Sequence, residues 1–325
     1  MTARDTILVT GGAGFVGSHF VRAALDAGSK VIVLDDFSGG SAVVPGAVVV
    51  RGDIADRALG ARAIAEHRVT SVVHFAGKIA VGESVREPAL YFDRNVVRTL
   101  ALLDTIREHG PNTLLFSSTA AVYGTPERVP IDEQDRLAPI NPYGATKLAI
   151  EHALAGYGAA YGVRWAALRY FNASGAHPDG TLRESHDPET HLIPLVIDAA
   201  LGRRAPLVIF GDDYATADGT CIRDYVHVCD LAAAHLAALD RLDAGTSLGV
   251  INLGASTGTS VKEIVSAVER VLGRAVPHSI GPRREGDPAV LLASNALAAR
   301  VLGWRPARSE LETIIDDAIR SRSAT

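Results

Sequence analysis

The stretch "LVTGGAGFVGSHF", residues 8 to 20, most constrains what this chain can fold into. An apolar strand runs into glycines spaced three apart, Gly11, Gly14 and Gly17, and out again into an amphipathic helix. Side chains at those positions would obstruct a tight turn and the close approach of backbone to a bound group. The free N–H groups that open the helix favour an anion there, such as a pyrophosphate. Strand, glycine turn and helix together predict a dinucleotide-binding unit, with Phe15 and Val16 in the same turn.

The first half of the chain repeats that unit. "KVIVLD", "AVVVRGD", "SVVHFAG", "NTLLFSS" and "VRWAALRYFN" read as strands, with helical stretches such as "EPALYFDRNVVRTLALLDTIREHG" between them. Strands rich in Val, Ile and Leu joined by helical crossovers predict a parallel sheet covered on both faces, an α/β fold of the doubly wound Rossmann type. After residue 172 the texture changes to a polar loop, "ASGAHPDGTLRESHDPETH", followed by a smaller α/β region. We therefore expect an NAD-binding domain over 1–172 and a second, ligand-binding region over 173–325. A later strand and helix near 223–240 are expected to rejoin the first sheet.

Composition narrows the function. Among 325 residues, 47% hydrophobic, no apolar run reaches the about 18 residues of a spanning helix, and "MTARDTILVTGG" is too short-cored for an export signal. A cytoplasmic protein without membrane association is expected. The net charge of −5 argues against a nucleic-acid surface, so an anionic ligand needs a local arginine pocket. Cys221 and Cys229 read as structural thiols, and no metal is expected.

Strand ends supply the candidate cofactor contacts. "VLDD" places Asp35 eighteen residues past Gly17, with Asp36 beside it. A carboxylate there accepts from ribose hydroxyls and repels a 2′-phosphate, favouring NAD over NADP; a turn-capping pair is the competing reading. Asp53 and Ile54 end the next strand, and Phe75, Ala76 and Gly77 the one after, small or apolar residues where a cofactor crosses.

The chain has four lysines against 28 arginines, and one of them, Lys147, stands four residues after Tyr143 in "PINPYGATKLAIEHAL". Asn141 and Pro142 suit a helix start, so Tyr143 and Lys147 lie one turn apart on one face. The strand "TLLFSSTAAVYG" brings Ser117, Ser118 and Thr119 to the same carboxyl edge of the sheet. A free phenol titrates near about 10, and an ammonium with a positive nicotinamide ring lowers that value. Tyr143 is thus expected to be a base for an alcohol proton, Lys147 its support and the holder of the nicotinamide ribose, and Thr119 a partner of the reacting oxygen. An ordinary amphipathic helix with a snorkelling lysine is the competing reading.

From about residue 6 to 305 the chain resembles the extended short-chain dehydrogenase/reductase superfamily and, within it, the UDP-galactose (UDP-glucose) 4-epimerases. "GGAGFVGSH", "HFAG", "VGESV", "VYG", "NPYGATK" and "RYFN" are similar to the cofactor and catalytic blocks. "GAHPDG", "HLIPLV", "IFGDDYATADGTCIRDYVHVCDL" and "RREGDPA" are similar to the substrate blocks, in order. The resemblance implies tightly held NAD, a UDP-hexose substrate, hydride removal from C4 and its return to the other face of a 4-keto sugar. By motif position it implies Thr119, Tyr143 and Lys147 as catalytic, and Asn95, Ser117, Tyr170 and Phe171 on the cofactor side. Asn172, His191, Leu192, Phe210, Arg223, Tyr225, Arg284 and Asp287 fall around the UDP moiety, where Arg223 and Arg284 read either as diphosphate forks or as ion-pair partners of nearby carboxylates.

Several positions depart from the pattern. Many relatives carry lysine where Ile79 stands, and Lys78 is one place early. Leu291 falls where a large residue disfavours N-acetyl sugars. Ala120 and Ala121 replace the Asp-Glu pair of sugar dehydratases. The alternatives are a 4-epimerase of another UDP-sugar (UDP-glucuronate, a UDP-pentose or a UDP-N-acetylhexosamine) and a non-catalytic NAD-sensing protein. Dimerisation is implied through helices around 88–109 and 142–161.

Overall fold

A computed structural model describes residues 6–186, 188–284 and 287–323. The first half builds β1 (Thr6–Thr10), α1 (Phe15–Asp26), β2 (Lys30–Asp35), β3 (Val48–Arg51), α2 (Arg57–His67) and β4 (Val69–His74). Next come α3 (Val81–Arg86), α4 (Pro88–Tyr91), α5 (Arg98–His109), β5 (Thr113–Thr119), α6 (Pro142–Tyr161) and β6 (Arg164–Tyr170). The remainder runs β7 (Asn172–Ser174), α7 (Leu192–Ala200), β8 (Leu207–Phe210), β9 (Ile222–His227), α8 (Val228–Asp243) and β10 (Gly249–Leu253). It closes with β11 (Gly258–Ser260), α9 (Val261–Leu272), β12 (His278–Gly281), β13 (Val290–Leu291), α10 (Ala296–Leu302) and α11 (Leu311–Ser323).

Seven strands form one sheet in the order β10-β6-β5-β4-β1-β2-β3, every pairing parallel. Alternation along each strand feeds two cores, as the pleat requires. Leu8, Ile32, Leu34, Val72 and Phe116 pack with Leu102, Leu103, Ile150 and Leu154 on one face. Val9, Val33, Val73, Leu115 and Leu168 pack with Phe20, Leu231, Ala234 and Trp304 on the other. The α/β doubly wound arrangement read from the sequence is therefore the one observed.

Two details differ from that reading. The later strand that joins the sheet is β10, beside β6, whereas residues 222–227 form β9 of a separate small sheet with β7, β11 and β13. A place against the sheet favours a continuous apolar run such as "GVINL" over the polar "IRDYVH". The accompanying helix α8 does pack against α1. The single helix expected over "EPALYFDRNVVRTLALLDTIREHG" is interrupted by a π-helical turn, Phe92–Val97, between α4 and α5. That extra residue per turn carries Asn95 into a buried position at the cofactor edge of the sheet.

Candidate active site

The glycine turn is built as its sequence requires. Gly11 has φ +72° and donates to the Leu34 carbonyl at 3.1 Å; a Cβ there would stand 2.4 Å from the Ala76 nitrogen. A Cβ on Gly17 would stand 2.2 Å from the Gly11 carbonyl oxygen. Gly14 caps α1 with no side chain, and the first intrahelical bond runs from Ser18 N–H, so the N–H groups of Phe15, Val16 and Gly17 precede it. A backbone cradle without side chains, ending on free N–H donors, fits a pyrophosphate.

Beside that cradle the strand ends are occupied by turn-forming bonds. Asp35 is buried and accepts from Ala13 N–H at 2.9 Å and Phe37 N–H at 2.7 Å, one bond on each oxygen. Burial pushes its carboxyl up, and the two N–H donors oppose this. Asp36 accepts from Ser38 and pairs with Arg94 at 3.2 Å. Asp53 accepts from Ala55 N–H and pairs with Arg98, and Ile54 is buried in the core. Phe75 and Ala76 both donate backbone N–H to the Thr10 carbonyl, at 2.9 and 3.1 Å. Asn95 then clamps the following residue: its Oδ1 accepts from Lys78 N–H, and its Nδ2 donates to the Lys78 carbonyl and to Thr146. Gly77 fits only because its Cβ, 2.9 Å from Asn95 Oδ1, is missing. The Lys78 ammonium is bound to Glu83, which also accepts from Tyr91.

Asn141 caps α6 through Gly144 N–H at 2.9 Å, and Pro142 takes the first turn, which sets Tyr143 and Lys147 at the carboxyl edge of β5. Lys147 is buried; its Nζ donates to the Ser117 carbonyl at 2.9 Å and lies 4.9 Å from the Phe116 ring centroid. Burial lowers its pKa to about 8, against the raising influence of Glu151. Thr119, at the end of β5, accepts from Ala121 N–H and lies close enough to the Tyr143 phenol to oppose the rise of its pKa. Ser117 pairs its hydroxyl with that of Tyr170, and Phe171 packs on the Val122, Tyr123 and Ile131 cluster just after Thr119.

The expected lowering of the Tyr143 pKa rests on the Lys147 ammonium and a nicotinamide ring together, and burial by the protein's own groups acts the other way. Burial pushes the Tyr143 phenol up, not down, and only Thr119 opposes it. The Lys147 ammonium is turned to the Ser117 carbonyl and stands 6.0 Å from the Tyr143 ring centroid, and burial is the largest influence on the phenol.

Sequence reasoning missed the polar network beneath these residues. Arg169, at the end of β6, is fully buried and forks onto Glu151 at 2.9 and 2.5 Å; Ser118 also donates to Glu151. Arg169 donates further to the Tyr123 hydroxyl, which donates to Asn252 on β10. Glu151 stands four residues after Lys147, a helical spacing that could have drawn attention to it.

The second region gathers the other candidates at one end of its small sheet. Arg223 pairs with Asp287 and lies in register with Leu291 of β13. Arg284 stacks 4.3 Å over the Phe210 ring, and the half-buried Cys221 lies within the fields of Arg223, Arg284 and Asp287. Leu291 packs on the same cluster as Phe171, close after Thr119 in the fold. Asn172 is exposed at the start of β7, in register with Tyr225, whose own side chain is buried in a core with Leu192 beside it. His191 caps α7, but its Nδ1 lies 2.7 Å from Glu184 and 2.9 Å from Glu189, and the two carboxylates raise its pKa to about 10 despite burial. Asp224, absent from the sequence reading, is buried and accepts from the N–H groups of Ala255, Ser256 and Ala293; burial pushes it up to about 6.

The NAD dependent epimerase/dehydratase family matches residues 7–254. A UDP-glucose 4-epimerase of Halalkalibacterium halodurans is 48% identical over 313 residues, 96% of this chain and 94% of its own. The solved UDP-glucose 4-epimerase of Brucella ovis in complex with NAD is 48% identical with a TM-score of 0.95, over 97% of this chain and 98% of that one. That of Stenotrophomonas maltophila, with bound NAD and formylated UDP-arabinopyranose, is 39% identical with a TM-score of 0.95, over 99% and 98%.

Proposed function

The chain belongs to the NAD dependent epimerase/dehydratase family, and from that premise we propose that it interconverts UDP-galactose and UDP-glucose by inverting C4 of the hexose. The observation that carries this is the meeting of Thr119, Tyr143 and Lys147 at one carboxyl edge, beside a glycine cradle with free N–H donors. Bound NAD supplies reversible hydride acceptance and a positive ring that favours a nearby phenolate.

The chain's own residues do the rest. The Gly11 to Gly17 turn and the start of α1 would hold the pyrophosphate, Asp35 and Asp36 the adenosine ribose, and Lys147 the nicotinamide ribose. Tyr143 takes the proton of the C4 hydroxyl as hydride leaves C4, which yields a 4-keto sugar, and returns the proton when hydride comes back to the opposite face. Thr119 hydrogen-bonds the same oxygen. Arg223 and Arg284 grip the diphosphate, flanked by Phe210, Leu192 and Asn172, so the hexose can turn about its link while the nucleotide stays fixed. Ala120 and Ala121 provide no acid to expel water, which separates this site from dehydration. We assign the cofactor to residues 1–172 together with α8 and β10, and the nucleotide sugar to the rest.

The test is incubation with UDP-galactose and, separately, UDP-glucuronate, following sugars by chromatography and the reduced-nicotinamide absorbance. Interconversion of the hexoses without net reduction supports the proposal; NAD retention with neither sugar epimerised overturns the substrate assignment.

Leu291 limits the sugar. This reading is supported by its packing on the same cluster as Phe171 and its register with Arg223. Leu291→Ser is expected to raise the ratio of UDP-N-acetylgalactosamine to UDP-galactose activity by about tenfold. A ratio unaltered by the substitution removes Leu291 from this role.

We also assign a homodimer interface to the helices around 88–109 and 142–161, where Phe92 and Val97 are exposed, and extend it to the exposed Val81 and Val85 on α3. Val85 and Val97 are 61% and 59% exposed, the most open of the four. Sedimentation should give a dimer for the protein and a monomer for a Val85→Glu, Val97→Glu variant; a monomeric parent refutes the interface. No helix among the described residues is long and apolar enough to cross a membrane. A cytoplasmic location belongs to this reading and is checked by cell fractionation.

A further inference from the structure

The polar loop before α7 brings four ligand-bearing side chains to one point. Glu184, His186, Glu189 and His191 each offer one ligand atom, and these atoms all lie within 4.8 Å of one another. Glu184 is buried and the other three are partly so. Glu184 Oε1 stands 2.7 Å from His191 Nδ1 and 3.4 Å from His186 Nδ1, and Glu189 Oε1 stands 2.9 Å from His191 Nδ1. The two imidazole rings are 5.0 Å apart, both with Nδ1 turned toward the carboxylates.

A proton on His191 explains that residue's two contacts and no more. His186 Nδ1 has its 3.4 Å contact with Glu184 but no well-aligned hydrogen bond, and Glu189 Oε2 has only a 3.8 Å ion contact to Arg322. Buried polar atoms left unsatisfied cost free energy. One cation drawing a single atom from each of the four side chains engages His186 as well as His191, and two carboxylates balance a double positive charge.

We propose that Glu184, His186, Glu189 and His191 form a site for a divalent transition-metal ion of the zinc class. Two imidazoles with two carboxylates suit zinc and its neighbours, whereas calcium and magnesium take oxygen ligands throughout. The ligands follow an E-x-H-x-x-E-x-H pattern, and the last of them caps α7. The ion therefore staples the loop to the helix that begins at Leu192. This departs from the expectation of no metal, and it moves the His191 imidazole from the substrate to the ion. It depends on these four side chains and not on the identity of the sugar.

The experiment uses the full-length protein, treated with a chelator and titrated with zinc chloride by calorimetry. Thermal unfolding and the visible absorbance of the cobalt-substituted protein are read in parallel. One equivalent of zinc, a raised Tm and the intense visible bands of tetrahedral cobalt are expected. His186→Ala and the near-isosteric Glu189→Gln should each weaken zinc binding at least tenfold while keeping the far-ultraviolet dichroism of the parent. No zinc bound, an unchanged Tm, or binding equal in both variants overturns the site and leaves a protonated His191 between two glutamates.

Discussion

Tyr143→Phe is expected to keep its fold and its NAD while losing turnover by about a thousandfold, inside the range that a positioned proton-transfer group contributes. Only one hydroxyl is removed. The ring stays anchored at the start of α6, whose cap by Asn141 and first-turn Pro142 do not involve the phenol. Burial holds the phenol up in the protein alone, with Thr119 its one opposing partner. In the proposed mechanism the positive nicotinamide ring supplies charge that favours the phenolate, and the substitution separates binding from chemistry. Cofactor absorbance retained with hexose turnover lost is the expected pair of readings. Turnover equal to the parent's excludes Tyr143 as the base.

The largest effect on stability is expected from Arg169→Leu. The Arg169 and Glu151 side chains are only 2% and 3% exposed, and their bidentate pairing ties the end of β6 to α6. Ser118 on β5 donates to the same carboxylate, and the Tyr123 hydroxyl extends the network to Asn252 on β10. Removing the guanidinium leaves Glu151 a buried carboxylate hydrogen-bonded only by Ser118, with the Lys147 ammonium one helical turn away acting on it through space. Stranding one partner of a buried ion pair costs about 3–5 kcal/mol, and a loss of that size is expected in denaturant unfolding.

The double variant Arg169→Leu, Glu151→Leu should recover much of that loss, since an apolar pair of similar volume leaves no charge stranded. A single variant within about 1 kcal/mol of the parent would show that the surroundings relax around the charge. Because Glu151 is one helical turn from Lys147 and raises its pKa, the single variant also tests whether this network positions the lysine proposed to support Tyr143.

Local rules were legible in the sequence because they act over a few residues. A glycine that must avoid the next turn's carbonyl, an Asn-Pro helix start, and Tyr and Lys one turn apart all follow from spacing, and each stands where the sequence places it. So does the alternation that sends Leu8 to one face of the sheet and Val9 to the other. Tertiary structure alone decided that β10 joins the sheet and that Asn95 turns inward on a π-helical turn. It also decided that Lys147 spends its charge on the Ser117 carbonyl, that Arg169 meets Glu151, and that four ligands of one loop converge. Each depends on which distant groups share a buried space, and on how far desolvation there outweighs a neighbour's field, quantities that no spacing along the chain contains.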